Sequence, residues 1–463
     1  MLVADGARPD TLAAALDAGQ LPALARLRAE GGMHAVTTVF PSVTGPAYAP
    51  FLMGRYPGPI GLPGLRWFDR SRAVAAFPHF SRSYVGTEIR KVDGDLDPGA
   101  PTVFELTQSS LAALSVIGRG VRPRDCEGRS LAFGLRAAYT HFRGNVRGWL
   151  EIDRDIGDRV ATRIRRDRPE LTFCALTGID KTSHAAGHGA AVVREAMQIV
   201  DNLAARVRAD AEADGRWASM HLWVMSDHGH SAVRAHEDLA GLLRSWKLGV
   251  IAHPWIYGRG RDAAVMVSGN AMAHVYLELD DRRGRPWWPA LASRWEWLAE
   301  RLLDRESVDL LLLAHAAGEC EVRGRGRGSA RIVVEGDRLS YRPDSGDPLG
   351  LGALDRLSAD EAYAVTLASD YPDALVQIAL LAGSARAGEI VLSAARDWDF
   401  RARWEPIPHR SSHGALHREH MLVPLILNRP AMRTPRRTVD VMPSALAALG
   451  RAVPAGLDGR TFV

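Results

Sequence analysis

Short apolar and β-branched runs alternate with longer stretches whose Leu, Ala, Ile and Val residues recur at three- and four-residue spacing. This alternation constrains the fold more than any other feature of the chain. Strands separated by helices return parallel to one another, and a parallel sheet must be covered on both faces. The expected class is therefore α/β, with a mostly parallel central sheet and helices on both faces. Candidate strands are Leu2–Ala4, His34–Val39, Ala112–Ile117, Leu171–Leu176, His221–Met225, Glu389–Ser393 and Met421–Leu427. Candidate helices are Thr11–Ala18, Leu21–Ala29, Arg154–Arg166, Ala191–Ala213 and Val439–Leu449.

Two stretches break the rhythm. From Pro57 to Ala100 the chain is rich in Gly, Pro, Arg and aromatics, and reads as a long excursion that could wall a pocket. From Pro254 to Arg356 a possible strand at Ala273–Leu279, a Trp-rich helix near Trp287–Leu303 and an Arg-Gly alternation at Arg323–Gly328 read as an inserted smaller subdomain. The expected division is a discontinuous catalytic domain, 1–253 with 357–463, and an inserted lobe, 254–356. No helix start follows the Arg-Gly alternation, so it reads as a solvated turn and not as a phosphate loop.

With 463 residues the chain can bury a large core. Lys and Arg number 58 against 54 Asp and Glu, a formal charge of +4 with the signs interspersed, which argues against specific nucleic-acid binding. Only Lys91, Lys181 and Lys247 are lysines. Cys126, Cys174 and Cys320 are too widely spaced for a metal knuckle or a disulfide framework. No apolar run reaches the length of a membrane span, so no integral membrane association is expected. As it stands the chain reads as cytoplasmic; the clipped opening strand makes export the expectation if a signal segment precedes Met1.

The chemistry-bearing residues stand next to turns at the ends of candidate strands, where ligands bind in open α/β sheets. They are Asp5 in Asp5-Gly6, Asp180 and His184 in Asp180-Lys181-Thr182-Ser183-His184, Asp227 and His228 in Ser226-Asp227-His228-Gly229, and His413 in Ser412-His413-Gly414. Singly, each is a cap, a turn or a hydrogen-bonded histidine. Together, three aspartates and three histidines suit two divalent ions, Zn²⁺ first and Mn²⁺ as an alternative. Paired ions are the recurring solution for phosphoryl transfer. The candidate nucleophile is Thr44, in Phe40-Pro41-Ser42-Val43-Thr44-Gly45, ahead of an expected helix Ala47–Met53.

In this order the five segments resemble the alkaline phosphatase superfamily, and the Thr44 segment is most similar to its nucleotide pyrophosphatase/phosphodiesterase-like branch. The resemblance extends to Pro372-Asp373-Ala374-Leu375 with Ala387–Val391, to Thr438–Pro443, and to Gly456–Arg460. It implies one ion held by Asp180, His184 and His413, and a second by Asp5, Asp227, His228 and the Thr44 oxygen. It also implies a phosphothreonine intermediate formed by Thr44 on a small-molecule phosphate ester. A phosphodiester or pyrophosphate bond is the expected target; a phosphomonoester or a phosphonate is the alternative. One position departs from the branch: an Asn expected three residues after the nucleophile is Ala47 here, which leaves open a catalytically weak metal- or ligand-binding relative. Lys181, Arg8 and the N–H of Gly45 are the candidates to contact phosphate instead. His188, His230, His417 and His420 are expected to support ligands or to lie on the surface. Specificity is expected around Tyr56, Trp67 and Phe68 and in the inserted lobe.

Overall fold

The computed structural model describes residues 1–71, 81–253, 262–280, 284–401 and 408–463. Parts of the expected excursion (72–80) and of the expected lobe (254–261 and 281–283) lie outside the described residues.

The chain is α/β, built on a seven-stranded sheet in the order Met33–Thr37, Leu422–Leu427, Trp223–Met225, Leu2–Ala4, Leu171–Leu176, Ser110–Ala113 and Cys126–Glu127. Leu2–Ala4 sits at its centre, parallel to Leu171–Leu176 on one side and to Trp223–Met225 on the other. Leu422–Leu427 pairs antiparallel with both of its neighbours. Because that strand is reversed, the segment leading into it lies at the same edge as the C-terminal ends of the others.

Amphipathic helices cover one face: Leu12 and Leu16 of Pro9–Asp17, Leu24 and Leu27 of Pro22–Gly31, Ile156 and Val160 of Val146–Asp167, and Val200 and Leu203 of Ala191–Ala213 share one apolar cluster with Leu2, Cys174 and Val224. The opposite face packs on Phe51 and Leu52, on Leu446 of the helix Val441–Ala448, and on Ile251, Met266 and Tyr276 of a second sheet. Tyr56, Trp67 and Phe68 are all buried. Trp67 Nε1–H donates to Tyr84 Oη at 2.9 Å, and Phe68 packs on Tyr276. The aromatics of the excursion are therefore core side chains and not an open pocket wall.

The second sheet has nine strands, in the order Val250–Ala252, Ala263–Ser268, Met272–Leu277, Ile390–Ala394, Val308–Ala316, Glu319–Gly324, Gly328–Glu335, Arg338–Pro343 and Leu354–Leu357. It is antiparallel except for its first pair. Its strands are not confined to 254–356. Ile390–Ala394, expected in the central sheet, is inserted near the middle of this one, and its fully apolar-facing, buried pattern requires cover on both sides. Arg325 and Gly326 fall in the hairpin between Glu319–Gly324 and Gly328–Glu335, the turn that the sequence implies.

Element ends differ where the backbone turns. The strand expected to run to Ile117 stops at Ala113, because Leu114 takes a positive φ of 51°. The helix expected from Arg154 starts at Val146, where the Asn145 side chain accepts the Gly148 N–H. A helix over Leu131–Phe142, with Ser130 as its cap, has no counterpart in the sequence reading, since Gly134 and its aromatics obscure the period. Among the described residues no helix is long and apolar enough to cross a membrane.

Candidate metal centre

The five segments that carry Asp5, Thr44, Asp180, Asp227 and His413 come together at the C-terminal edge of the central sheet. Asp5 follows the central strand, and its neighbour Gly6 has a φ of 80°. A Cβ on Gly6 would stand 2.9 Å from His230 Nε2 and 3.1 Å from the Asp180 Cα, so only glycine lets the turn approach this closely. The Gly6 N–H donates to Asp227 Oδ1 at 3.3 Å.

The helix Gly178–Ala186 carries Asp180 and His184 on successive turns. Its own N-cap residue, Thr177, makes no side-chain cap. The acceptor comes instead from the neighbouring helix: buried Asp153 takes the Thr177 N–H at 3.1 Å and the Gly178 N–H at 2.6 Å. Asp227 and His228 follow Trp223–Met225, and His413 stands on the segment leading into Leu422–Leu427. The second sheet holds that segment, since the Ala271 N–H donates to the His413 carbonyl at 3.0 Å.

Two sets of donor atoms that share no residue result, and a third set, Asp180, His228 and His230, bridges them. Those of Asp180, His184 and His413 lie within 4.8 Å of one another, as do those of Asp5, Asp227 and His228. All six residues are buried. His228 and His413 connect the sets, their rings stacked at 3.6 Å and 4°. Thr44 Oγ1 stands 3.1 Å from His228 Nε2 and 3.4 Å from Asp5 Oδ1, on the second set.

The three imidazoles are held alike. His184 Nδ1 is 2.9 Å from the Ser411 carbonyl, His228 Nδ1 is 3.2 Å from that of Gly229, and His413 Nδ1 is 2.9 Å from that of Ser42. Each Nδ1–H therefore donates to backbone, and each Nε2 is presented to the cluster, the orientation in which histidine ligates a metal.

Electrostatics point the same way. Burial, then the carboxylates of Asp227 and Asp180, push Asp5 far above the usual carboxylate range, to about 8. Burial alone would lower His228, but Asp227 and Asp5 outweigh it and raise the imidazole to about 9. Burial holds His413 well below its usual value, with His228 adding to the effect. Although burial works against its ionisation, Lys181 and His184 keep Asp180 well below the carboxylate range. Asp227 Oδ2 is buried with no hydrogen-bond partner among the described residues. Three buried carboxyl groups, one with an oxygen whose neighbour is the His228 ring at 3.5 Å, call for compensating positive charge. The mixed imidazole and carboxylate donors fit Zn²⁺ or Mn²⁺.

The other expected site residues are placed differently. Lys181 Nζ donates to Asp180 Oδ2 at 2.7 Å. Arg8 is spent on Asp10, with Nε 2.9 Å from Oδ1, and on the His230 carbonyl. Gly45, with a φ of 98°, faces Leu65 and Val116, whose side chains come to 3.5 and 3.7 Å of where its Cβ would be. Ala47 is fully buried among Val39, Phe40 and Tyr56, so position 47 faces the core.

His230, expected to support ligands or lie on the surface, is inside the cluster: it is fully buried, with Nε2 3.0 Å from Asp180 Oδ1 and Nδ1 3.1 Å from Ser411 Oγ. Its position two residues after His228 was the available signal. His420, also buried, braces the centre through Ser231 Oγ at 2.8 Å and the Ala415 N–H at 3.0 Å. His417 is buried beside it, with its ring 3.9 Å away, and His188 is half-buried. Sequence reasoning missed Asp153, and also His409, whose ring lies 4.6 Å from that of His184 while Asp399 holds its Nδ1 at 3.0 Å.

Residues 1–319 match the model of the family described as type I phosphodiesterase / nucleotide pyrophosphatase. A comparison with curated proteins finds no match. Among solved structures, phosphonoacetate hydrolase from Sinorhizobium meliloti 1021, in complex with phosphonoformate, aligns with a TM-score of 0.57 at 17% identity, over 97% of this chain and 94% of that one. Human ectonucleotide pyrophosphatase / phosphodiesterase 5 aligns with a TM-score of 0.59 at 13% identity, over 99% and 96%. A mutant of the alkaline phosphatase PafA aligns with a TM-score of 0.59 at 12% identity, over 99% and 97%. At these identities the likenesses establish the shared fold.

Proposed function

Because the chain belongs to the type I phosphodiesterase / nucleotide pyrophosphatase family of phosphoric ester hydrolases, within the alkaline phosphatase superfamily, we propose that it cleaves a phosphodiester or pyrophosphate bond through Thr44. The observation that carries this reading is the position of Thr44 Oγ1, 3.1 Å from His228 and 3.4 Å from Asp5, at the edge of two adjoining donor sets. Asp180, His184 and His413 would hold one divalent ion; Asp5, Asp227, His228 and Thr44 would hold the other, with zinc the best match to the donors. Bound there, the ions supply Lewis acidity and neutralise charge on the phosphoryl oxygens.

The rest of the work falls to the side chains. Thr44 Oγ bonds to phosphorus as the bond to the leaving oxygen breaks, giving a phosphothreonine that water later hydrolyses. The pinned imidazoles keep Nε2 directed at the centre through both steps, so nothing reorganises as charge develops. Lys181 brings a fixed positive charge to the edge of the cluster. With position 47 facing the core, no side chain there is asked to contact phosphate. Leu65 and Val116 form an apolar wall beside Gly45, and this wall would meet the part of the substrate next to the reacting phosphate.

The test is turnover of an aryl phosphodiester, a pyrophosphate, an aryl monoester and phosphonoacetate by the zinc- and manganese-loaded protein. Diester or pyrophosphate should be preferred. Thr44→Ala should lower kcat by roughly three orders of magnitude or more while ions are still retained. Unchanged turnover in that variant would remove Thr44 from the chemistry.

A further inference from the structure

The helix Leu131–Phe142 has an apolar face that no part of the described protein covers. Leu131, Leu135, Tyr139 and Phe142 are 73, 64, 65 and 74% exposed. At about 100° per residue they fall within an arc of about 80°, and Thr140, the buried residue of the helix, lies on the opposite side. The other exposed large apolar side chains among the described residues, such as Met432 and Val453, are scattered singly, so a contiguous stripe on one short helix stands apart.

The charged side chains of the helix and its flanks are all basic, three of them paired with acids from neighbouring segments and one, Arg143, left over among the described residues. From Gly128 to Leu150 the chain has four arginines, Arg129, Arg136, Arg143 and Arg147, and no Asp or Glu. Arg136 pairs with Asp155 and Arg147 with Glu195. Arg129 pairs with Asp93. Arg143, exposed at the end of the helix, is in no ion pair among the described residues. Arg136 and Arg143 flank the stripe on one side. An apolar stripe edged by arginine is the chemistry that anionic lipid head groups and the acyl boundary beneath them accept. A second copy of the chain fits less well, since 12 residues, about 18 Å of helix, fall well short of the ~800 Å² per partner that a stable dimer buries.

Both ends of the helix are tied to the site. Just before it, Arg129 donates to the carbonyls of Ser115 and Val116 at 3.2 and 2.9 Å, and Val116 is the residue against Gly45. Just after it, the Trp149 ring lies 5.9 Å from Lys181 Nζ. We infer that Leu131–Phe142 docks on an anionic lipid surface and delivers to Thr44 phosphodiesters embedded in it. The delivery step rests on the phosphodiesterase reading; the docking step does not.

Vesicle flotation separates the two. Wild-type protein should float with an equal mixture of phosphatidylglycerol and phosphatidylcholine, and weakly or not at all with phosphatidylcholine alone. The triple variant Leu135→Ser, Tyr139→Ser, Phe142→Ser should bind at least about tenfold more weakly, and Arg143→Glu should lose the preference for anionic vesicles. All these positions are exposed, so turnover of a soluble aryl diester should be unchanged. Wild-type protein that floats with neither vesicle, or a triple variant that floats as well as wild type, would overturn the docking surface. So would a wild-type dimer in light scattering that the triple variant converts to monomer, because the stripe would then belong to a second copy. Protein that floats but cleaves no diester would sink the phosphodiesterase reading and leave docking standing.

Discussion

His274 makes a pH-dependent contribution to stability that can be measured without any substrate. It is fully buried in the strand Met272–Leu277, with Nε2 3.0 Å from the Pro63 carbonyl and Nδ1 taking the Gly388 N–H at 3.1 Å. Only the neutral ring with its proton on Nε2 satisfies both partners; a second proton would point at the Gly388 N–H. Burial lowers its pKa to about 4 from an ordinary 6.5. The folded form therefore resists a proton that the unfolded chain accepts. The stabilisation is complete above pH 6.5 and is lost as pH falls through 4. At about 1.4 kcal/mol per pH unit the loss reaches about 3 kcal/mol. Urea unfolding from pH 7 to pH 4 in chelator, so that ion release does not contribute, should show this decline. His274→Gln should lower stability at pH 7 and flatten the slope between pH 6.5 and 4. If the variant kept the wild-type slope, proton uptake at His274 would not be its source. The ring also anchors the loop Pro63-Gly64-Leu65, so Leu65 should shift beside Gly45 in the same pH interval.

Two further outcomes follow from the site. Asp153→Ala strips the acceptor from the first turn of Gly178–Ala186, and ion affinity should fall about tenfold to hundredfold, as read by competition with a chromophoric chelator; unchanged affinity would show that the helix holds its place without the cap. Chelation should lower the melting temperature, because Asp180 and Asp227 then repel one another in a buried site and Asp5, pushed up to about 8, has to take up a proton. In that chelated state Asp227→Asn should be more stable than wild type yet gain nothing when zinc is restored; a variant less stable than wild type in chelator would show that the repulsion is not what the ions relieve.

Much of the centre was legible in the sequence because an acid or a histidine recurs beside a turn near the ends of several candidate strands, although each such place alone reads as a cap or a turn. Asp5-Gly6 is an example: the pair alone reads as a turn, and only the structure shows that a Cβ added at Gly6 would meet His230. The central strands were legible because they are short runs of apolar residues buried on both faces. What the sequence left hidden depends on distant partners. Asp153 caps a helix from 24 residues away, and His230 looks like any histidine after a turn until the Ser411 side chain is beside it. Ile390–Ala394 is as apolar as the central strands, and only its pairing shows that it belongs to the other sheet. Ala47 looked like a lost donor, yet its place in an apolar cluster makes a polar residue there the greater cost.

The central position of Leu2–Ala4 bears on how the chain is made. In chain order Leu2–Ala4 precedes the other six strands of its sheet, yet it is flanked by Leu171–Leu176 and Trp223–Met225, and so has both partners only after Met225 has been made. At about 5–20 residues per second it waits roughly 10–40 s for both neighbours. The donor set containing His413 is completed later still. A chain that stops anywhere before that histidine lacks one donor of the candidate centre, which is therefore assembled from residues made more than 400 positions apart.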